Sequence, residues 1–156
     1  MTYDDELKLR KYRDMRKVYK RVVWQEWHTL RRRVFQSVVK QPFPCFYISA
    51  EYCVKMFRWK ESDSRHLHTM QPPTRRKLEH LYARYLEVKG EKPTASKIEI
   101  CSMIIEEPAP ELFMTGDSAY NFYLDMQRKE RLLKQLNETH TNTHPFQPRE
   151  EQKRQV

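Results

Sequence analysis

The chain has 156 residues, 33% of them charged, with 30 Lys+Arg against 21 Asp+Glu and a formal net charge of +9. A chain of this size forms one domain or two small ones, and none of its apolar runs approaches the roughly 20 residues a membrane-spanning helix needs. Its two glycines, Gly90 and Gly116, cannot build a P-loop or a dinucleotide-binding turn, since both need several glycines at fixed spacing.

The first residues are rich in acids and bases, so an apolar secretory leader is not expected there. From Asp4 to about Trp27 the pattern is helical: Tyr12, Met15, Tyr19 and Val22 form one stripe, and Asp4, Asp5 and Glu6 sit in the first turn, where carboxylates oppose the helix dipole. Thr29 is the expected cap of a second helix, Leu30 to Lys40, with the chain bending or running straight at His28–Thr29. Pro42 must end that helix, because proline lacks a backbone donor and drives its predecessor into extended geometry. Phe46, Tyr47 and Ile48 are too apolar to leave in water, so this connector should lie across the core. Ser49 then caps a third helix to about Lys60, with Glu51 in its first turn.

Glu61 to Pro73 is polar and reads as a linker. Thr74 is expected to cap a fourth helix with Leu78, Leu81, Tyr82, Tyr85 and Val88 buried and Gly90 as its stop. Pro93 and Thr94 should open a fifth helix through Ile98, Ile100, Ile104 and Ile105. Thr115 should cap a sixth, running from Asp117 to about Leu136. The tail from Asn137 is mixed in charge and poor in apolar residues, which predicts disorder.

One pattern recurs at an offset of 66. Pro42-Phe43-Pro44-Cys45-Phe46-Tyr47-Ile48-Ser49 aligns without a gap on Pro108-Ala109-Pro110-Glu111-Leu112-Phe113-Met114-Thr115, and Met15, Tyr19, Val22, Val34, Val38 and Val39 align on Leu81, Tyr85, Val88, Ile100, Ile104 and Ile105. A fixed period defines a structural unit. The expected architecture is therefore all-α, two tandem three-helix repeats (helix, helix, Pro-x-Pro connector, helix) sharing one core. The expected domains are a basic repeat over 1–66, a near-neutral repeat over 67–136 and a disordered tail over 137–156.

Few residues carry the spacing of known chemistry. Cys45, Cys53 and Cys101 are odd in number and read as structural thiols of a reducing compartment, with Cys45 the most exposed of them. His66/His68 and His140/His144 are the close histidine pairs, yet no cysteine pair completes a zinc set, so no metal or other cofactor is expected. Glu106-Glu107 reads as a solvated helix end. No nucleophile–base–acid set is visible, although a pocket joining a Cys or Ser to His68 or His80 would revive one, and the chain is expected to be non-enzymatic. The standard helix-turn-helix is not supported, because that motif joins its helices by a 3–4-residue turn whereas nine residues separate Lys40 from Ala50; a variant trihelical DNA binder stays open.

Charge is the stronger signal. Residues 1–66 hold 16 Lys+Arg against 8 Asp+Glu, whereas residues 67–136 hold 11 against 10. Lys8, Arg10, Lys11, Arg13, Arg16, Lys17, Lys20 and Arg21 crowd the first helix, and Arg31, Arg32 and Arg33 open the second. Arg10, Arg13, Lys17 and Lys20 should line one flank of the Tyr12–Val22 stripe. Asp14 is available to Lys17 and Glu26 to His28 or Arg33, but most of these cations lack an acid at helical spacing. Such an uncompensated stripe is the footprint of a phosphate-backbone binder. Trp24 and Trp27 could stack on bases or pack inward, and inward packing is the expectation. Nucleic acid is the leading partner, gripped by Arg10, Arg13, Lys17, Lys20, Arg31, Arg32 and Arg33. An acidic protein surface is the alternative and no membrane is expected; oligomeric state is not encoded in these features.

At the two connectors, through Pro42, Pro44, Phe46, Tyr47, Ser49 and Pro108, Ala109, Pro110, Phe113, Thr115, the chain resembles a group of small uncharacterised basic proteins of gut Bacteroidetes genomes and their phages or conjugative elements. Those carry Pro-Ala-Pro-x-Phe-Tyr-[Val/Leu]-[Ser/Thr] twice, and Pro73-Thr74-Arg75-Arg76-Lys77-Leu78 matches their central basic segment. Phe43 and Leu112 depart from the pattern. The resemblance spans residues 8 to about 130. It implies a phage or mobile-element context in the cytoplasm of a bacterial host, and no particular activity.

Overall fold

The structure is a computed structural model that describes residues 2–141. Among these residues it is all-helical: α1 (Tyr3–Gln25), α2 (Arg31–Val38), α3 (Ala50–Glu61), α4 (Arg65–Thr69), α5 (Pro72–Glu91), α6 (Lys97–Ile104) and α7 (Gly116–Thr141). Side-chain caps set most of the helix starts. Thr2 and Asp5 form a reciprocal capping box on α1, and Ser96 and Glu99 form another on α6. The Ser49 hydroxyl accepts from the Tyr52 N–H at 3.1 Å, and Thr115 accepts from the Ser118 N–H at 3.1 Å.

Several boundaries differ from the sequence expectation. Leu30, not Thr29, precedes α2, without a side-chain cap, and the chain turns between Glu26 and Leu30. Thr74 lies inside α5, because Pro72 and Pro73 occupy its first turn, where a missing N–H costs nothing. Ser96 opens α6 in place of Pro93–Thr94. Gly90 does not stop α5, which runs on to Glu91; an exposed helical glycine costs only about 1 kcal/mol. The linker contains the short helix α4. Residues 137–141 continue α7 instead of starting a disordered tail, and residues 142–156 lie outside the described residues.

The connectors meet. Phe43 and Ala109 form an antiparallel bridge, with N–H···O distances of 2.9 and 2.8 Å in the two directions. The Phe46 N–H donates to the Ile105 carbonyl at 3.0 Å and the Leu112 N–H to the Val39 carbonyl at 2.9 Å. The two bonds exchange under the offset of 66: Phe46 corresponds to Leu112 and Ile105 to Val39. The same offset relates Tyr47 and Phe113, both left-handed at φ 53° and 57°, and Val39 and Ile105, at φ −66° each.

A single shared core is not what forms. Buried apolar side chains fall into two clusters. One joins Tyr12, Met15, Val18 and Val22 of α1 to Val34, Phe35 and Val38 of α2 and Ala119 and Tyr123 of α7. The other joins α3, α5 and α6 through residues such as Phe57, Leu81, Tyr85, Ile100 and Ile104. Each connector feeds both clusters: Phe43 and Leu112 enter the first, Phe46 and Phe113 the second. The bridged straps therefore carry α3 away from α1 and α2 and bring α7 back to them.

Candidate functional site

The first cluster fixes which face of α1 meets water. Tyr12, Met15, Val18 and Val22 are buried, and at about 100° per residue the opposite arc carries Arg13, Lys17, Lys20, Arg21 and Trp24. All five are exposed, and Trp24 retains 83% of its accessible surface. Arg13 to Trp24 spans about 16 Å along the helix axis. No acid occurs from Met15 to Gln25.

The acids expected to neutralise this region turn elsewhere. The Asp14 carboxylate accepts from the Tyr47 hydroxyl at 2.5 Å, and the Glu26 carboxylate accepts from the Ser37 hydroxyl at 2.8 Å. Burial and the Asp14 carboxylate together push the Tyr47 phenol well above its ordinary range. Arg13, Lys17, Lys20 and Arg21 consequently have no ion-pair partner among the described residues.

The seven cations singled out in the sequence separate into two groups. Arg13, Lys17, Lys20 and Arg33 stand exposed without an acidic partner among the described residues. Ser37 touches Glu26 at the end of α1, and Arg33 lies one turn earlier on that side of α2, which brings it toward the corner where the α1 face ends. Arg10 instead pairs with Glu106, which raises its guanidinium pKa, and Arg32 pairs with Asp117 at 3.0 Å. Arg31 lies over the Tyr19 and Tyr123 rings, 5.5 and 5.4 Å from their centroids, and donates to Gln127. These three tie α1 and α2 to the second connector and to α7. Arg16, beside the same face, pairs with Glu130 of α7 at 3.4 Å.

Both tryptophans contradict the expectation of inward packing. Trp27 is 71% exposed in the turn after α1, its ring against His28, and Leu30 beside it is 71% exposed. The angular position of Trp24, away from the Tyr12–Val22 stripe, was the available signal. Arg21, which shares that arc, was the cation left out of the expected set.

The remaining chemical candidates resolve as structure. Cys45 is buried, not exposed, and burial pushes its thiol up; Cys53 and Cys101 are buried as well. Glu106 and Glu107 follow the end of α6 partly exposed, as expected, and both are paired: Glu106 meets Arg10 and Glu107 takes a hydrogen bond from Arg84 Nε at 2.9 Å. His80 lines a small cleft with Arg84, Glu107 and Phe46, with no Cys or Ser in its wall. His68 faces Asp63 at 3.6 Å on the surface. No group of three His, Cys, Asp or Glu close enough to hold a metal occurs among the described residues; His144 lies outside them. Among the described residues no helix is long and apolar enough to cross a membrane. No family model, curated protein or solved structure matches this chain.

Proposed function

We propose that this is a non-catalytic nucleic-acid-binding accessory or regulatory protein that grips the phosphate backbone with the outer face of α1 and the corner into α2. The observation that carries the reading is the row Arg13, Lys17, Lys20 and Arg21, exposed along one helix face and free of ion pairs while the neighbouring acids Asp14 and Glu26 are held by Tyr47 and Ser37. Uncompensated cations repel one another, and a polyanion removes that cost. Arg33 extends the surface; Arg10, Arg31 and Arg32 lie beside it, engaged with Glu106, the Tyr19 and Tyr123 rings, and Asp117. The constant offset of 66 between bridged connectors supports a second inference, that α1–α2–α3 and α5–α6–α7 are two copies of one unit whose third helices are exchanged. In that view the copies share a scaffold and the first has acquired the basic face. The resemblance at the connectors adds a phage or mobile-element setting to this proposal.

Reversing charge at Arg13 and Lys17 together should weaken binding to any nucleic-acid sequence by at least ten-fold in fluorescence-anisotropy titrations, while Lys92→Glu on the far bundle leaves it unchanged. Binding that is absent, or indifferent to Arg13 and Lys17, would refute the reading. The exposed Leu30 beside Trp27 favours one rival, an adaptor or virion component docking on an acidic protein, since apolar side chains beside arginines are typical of protein interfaces. Co-purification of one protein partner that survives nuclease treatment would decide for that rival.

A further inference from the structure

Two large aromatic rings stand in water at the end of the cationic row, and the phosphate contacts leave them unused. Trp24 lies one turn beyond Lys20 and Arg21 on the same face of α1, 83% exposed, and Trp27 follows in the turn at 71%. Trp59, the remaining tryptophan, is half-buried and stacked on His66 with ring centroids 4.4 Å apart. Exposed indole is costly in water, and a partner that combines negative charge with flat π faces would satisfy both features at once.

We propose that the nucleic acid bound here is single-stranded, with its backbone along Arg13, Lys17, Lys20 and Arg21 and its bases stacked on Trp24 and Trp27. The inference rests on the phosphate-binding reading above. A duplex offers only base edges in its grooves, its faces being hidden in the stack, so it could engage the cations and leave both rings wet. A single strand presents every base face, and stacking tolerates any sequence. An anionic membrane also combines charge with apolar depth. An interfacial helix, however, inserts its own apolar face, and that of α1 is covered by α2 and α7.

The test compares a fluorescein-labelled oligothymidylate of about 16 nucleotides with a mixed-sequence duplex of equal length, at one salt concentration. In a Trp59→Phe background, Trp24 and Trp27 are the remaining tryptophans and their emission should be quenched by the single strand. Trp24→Ala with Trp27→Ala should weaken single-strand binding by about ten-fold or more, with duplex affinity unchanged within two-fold and an unaltered far-ultraviolet circular dichroism spectrum. Equal affinity for both forms, with no quenching and no effect of the tryptophan changes, overturns the single-strand proposal while leaving phosphate binding in place. Failure to bind either form overturns both. Binding to vesicles of phosphatidylserine and phosphatidylcholine with a blue-shifted emission, and to neither oligonucleotide, assigns the patch to a lipid surface and overturns both.

Discussion

Phe43 and Ala109 lie 66 residues apart and exchange both backbone hydrogen bonds, so each is the partner of its own counterpart under the offset that relates the two connectors. An antiparallel bridge has a local two-fold axis between its two residues. On this axis the chain changes sides, and the same pair of straps plugs both cores. Phe43, 2% exposed, is the plug on the α1–α2–α7 side.

Phe43→Ala should therefore destabilise the protein by about 3–5 kcal/mol, the usual cost of removing a buried aromatic side chain. Urea unfolding followed by circular dichroism would measure it. A loss under 1 kcal/mol would mean that the strap merely lies over a core complete without it.

The two glycines should respond with opposite signs. Nothing lies within 4 Å of a Cβ added to Gly90, so Gly90→Ala should gain about 0.5–1 kcal/mol of helix stability. A Cβ on Gly116 would sit 2.8 Å from Cγ and 3.0 Å from Cα of Gln36, where α7 crosses α2. Gly116→Ala should lower the melting temperature despite the better helix propensity of alanine.

Tyr47 is held twice, by its left-handed backbone and by Asp14. Tyr47→Phe leaves the ring in place and removes the hydroxyl that donates to the half-buried carboxylate. Hydrogen bonds to charged groups are worth about 1.5–3 kcal/mol, and a loss in the lower part of that range is expected because Asp14 retains some water. The freed carboxylate also becomes available to Lys17, so this variant should bind nucleic acid slightly less tightly.

Lys11 and Lys77, again 66 apart, predict a pH dependence. Both are half-buried and have no carboxylate partner among the described residues. Burial lowers each ammonium pKa to about 8 from the ordinary 10.5, with the charge of Lys77 adding to the effect at Lys11. Above about pH 8 the folded chain sheds these protons while the unfolded chain keeps them, so stability should rise with pH between about 7 and 9. Above about pH 9 the buried thiols of Cys45 and Cys53, held above their ordinary 9.0, act in the opposite sense because only the unfolded thiols ionise. Melting curves across pH 7 to 9 should show the rise, and Lys11→Met with Lys77→Met should flatten it and raise the melting temperature at pH 7. A wild-type melting temperature that falls with pH over this interval would contradict the assignment.

Helical class and most of the buried stripes were legible, because 3.6-residue periodicity needs no tertiary information; Tyr19 and Tyr82 are only partly buried. Met15 with Leu81 and Val34 with Ile100 are buried as matched pairs. The packing of α3 with α5 and α6, and of α7 with α1 and α2, was not legible. A connector that crosses to the far bundle and one that folds back on its own helices have the same apolar pattern. The site was half legible for a related reason. Helical spacing places Arg13, Lys17 and Lys20 on the outer face, but Arg10 and Glu106 are 96 residues apart in sequence and only the folded chain brings them together. Cys45 looked exposed because polarity says nothing about which strap residues point inward.

The most direct measurement of the central claim is the salt dependence of binding. If Arg13, Lys17, Lys20, Arg21 and Arg33 each neutralise a phosphate, log K should fall against log salt with a slope of about −3.5 for a single strand or about −4.5 for a duplex. Arg13→Glu with Lys17→Glu should make that slope shallower by about 1.4 to 1.8. A slope near zero, or one that the double variant leaves unchanged, would contradict the account and remove the outer face of α1 as the site of binding.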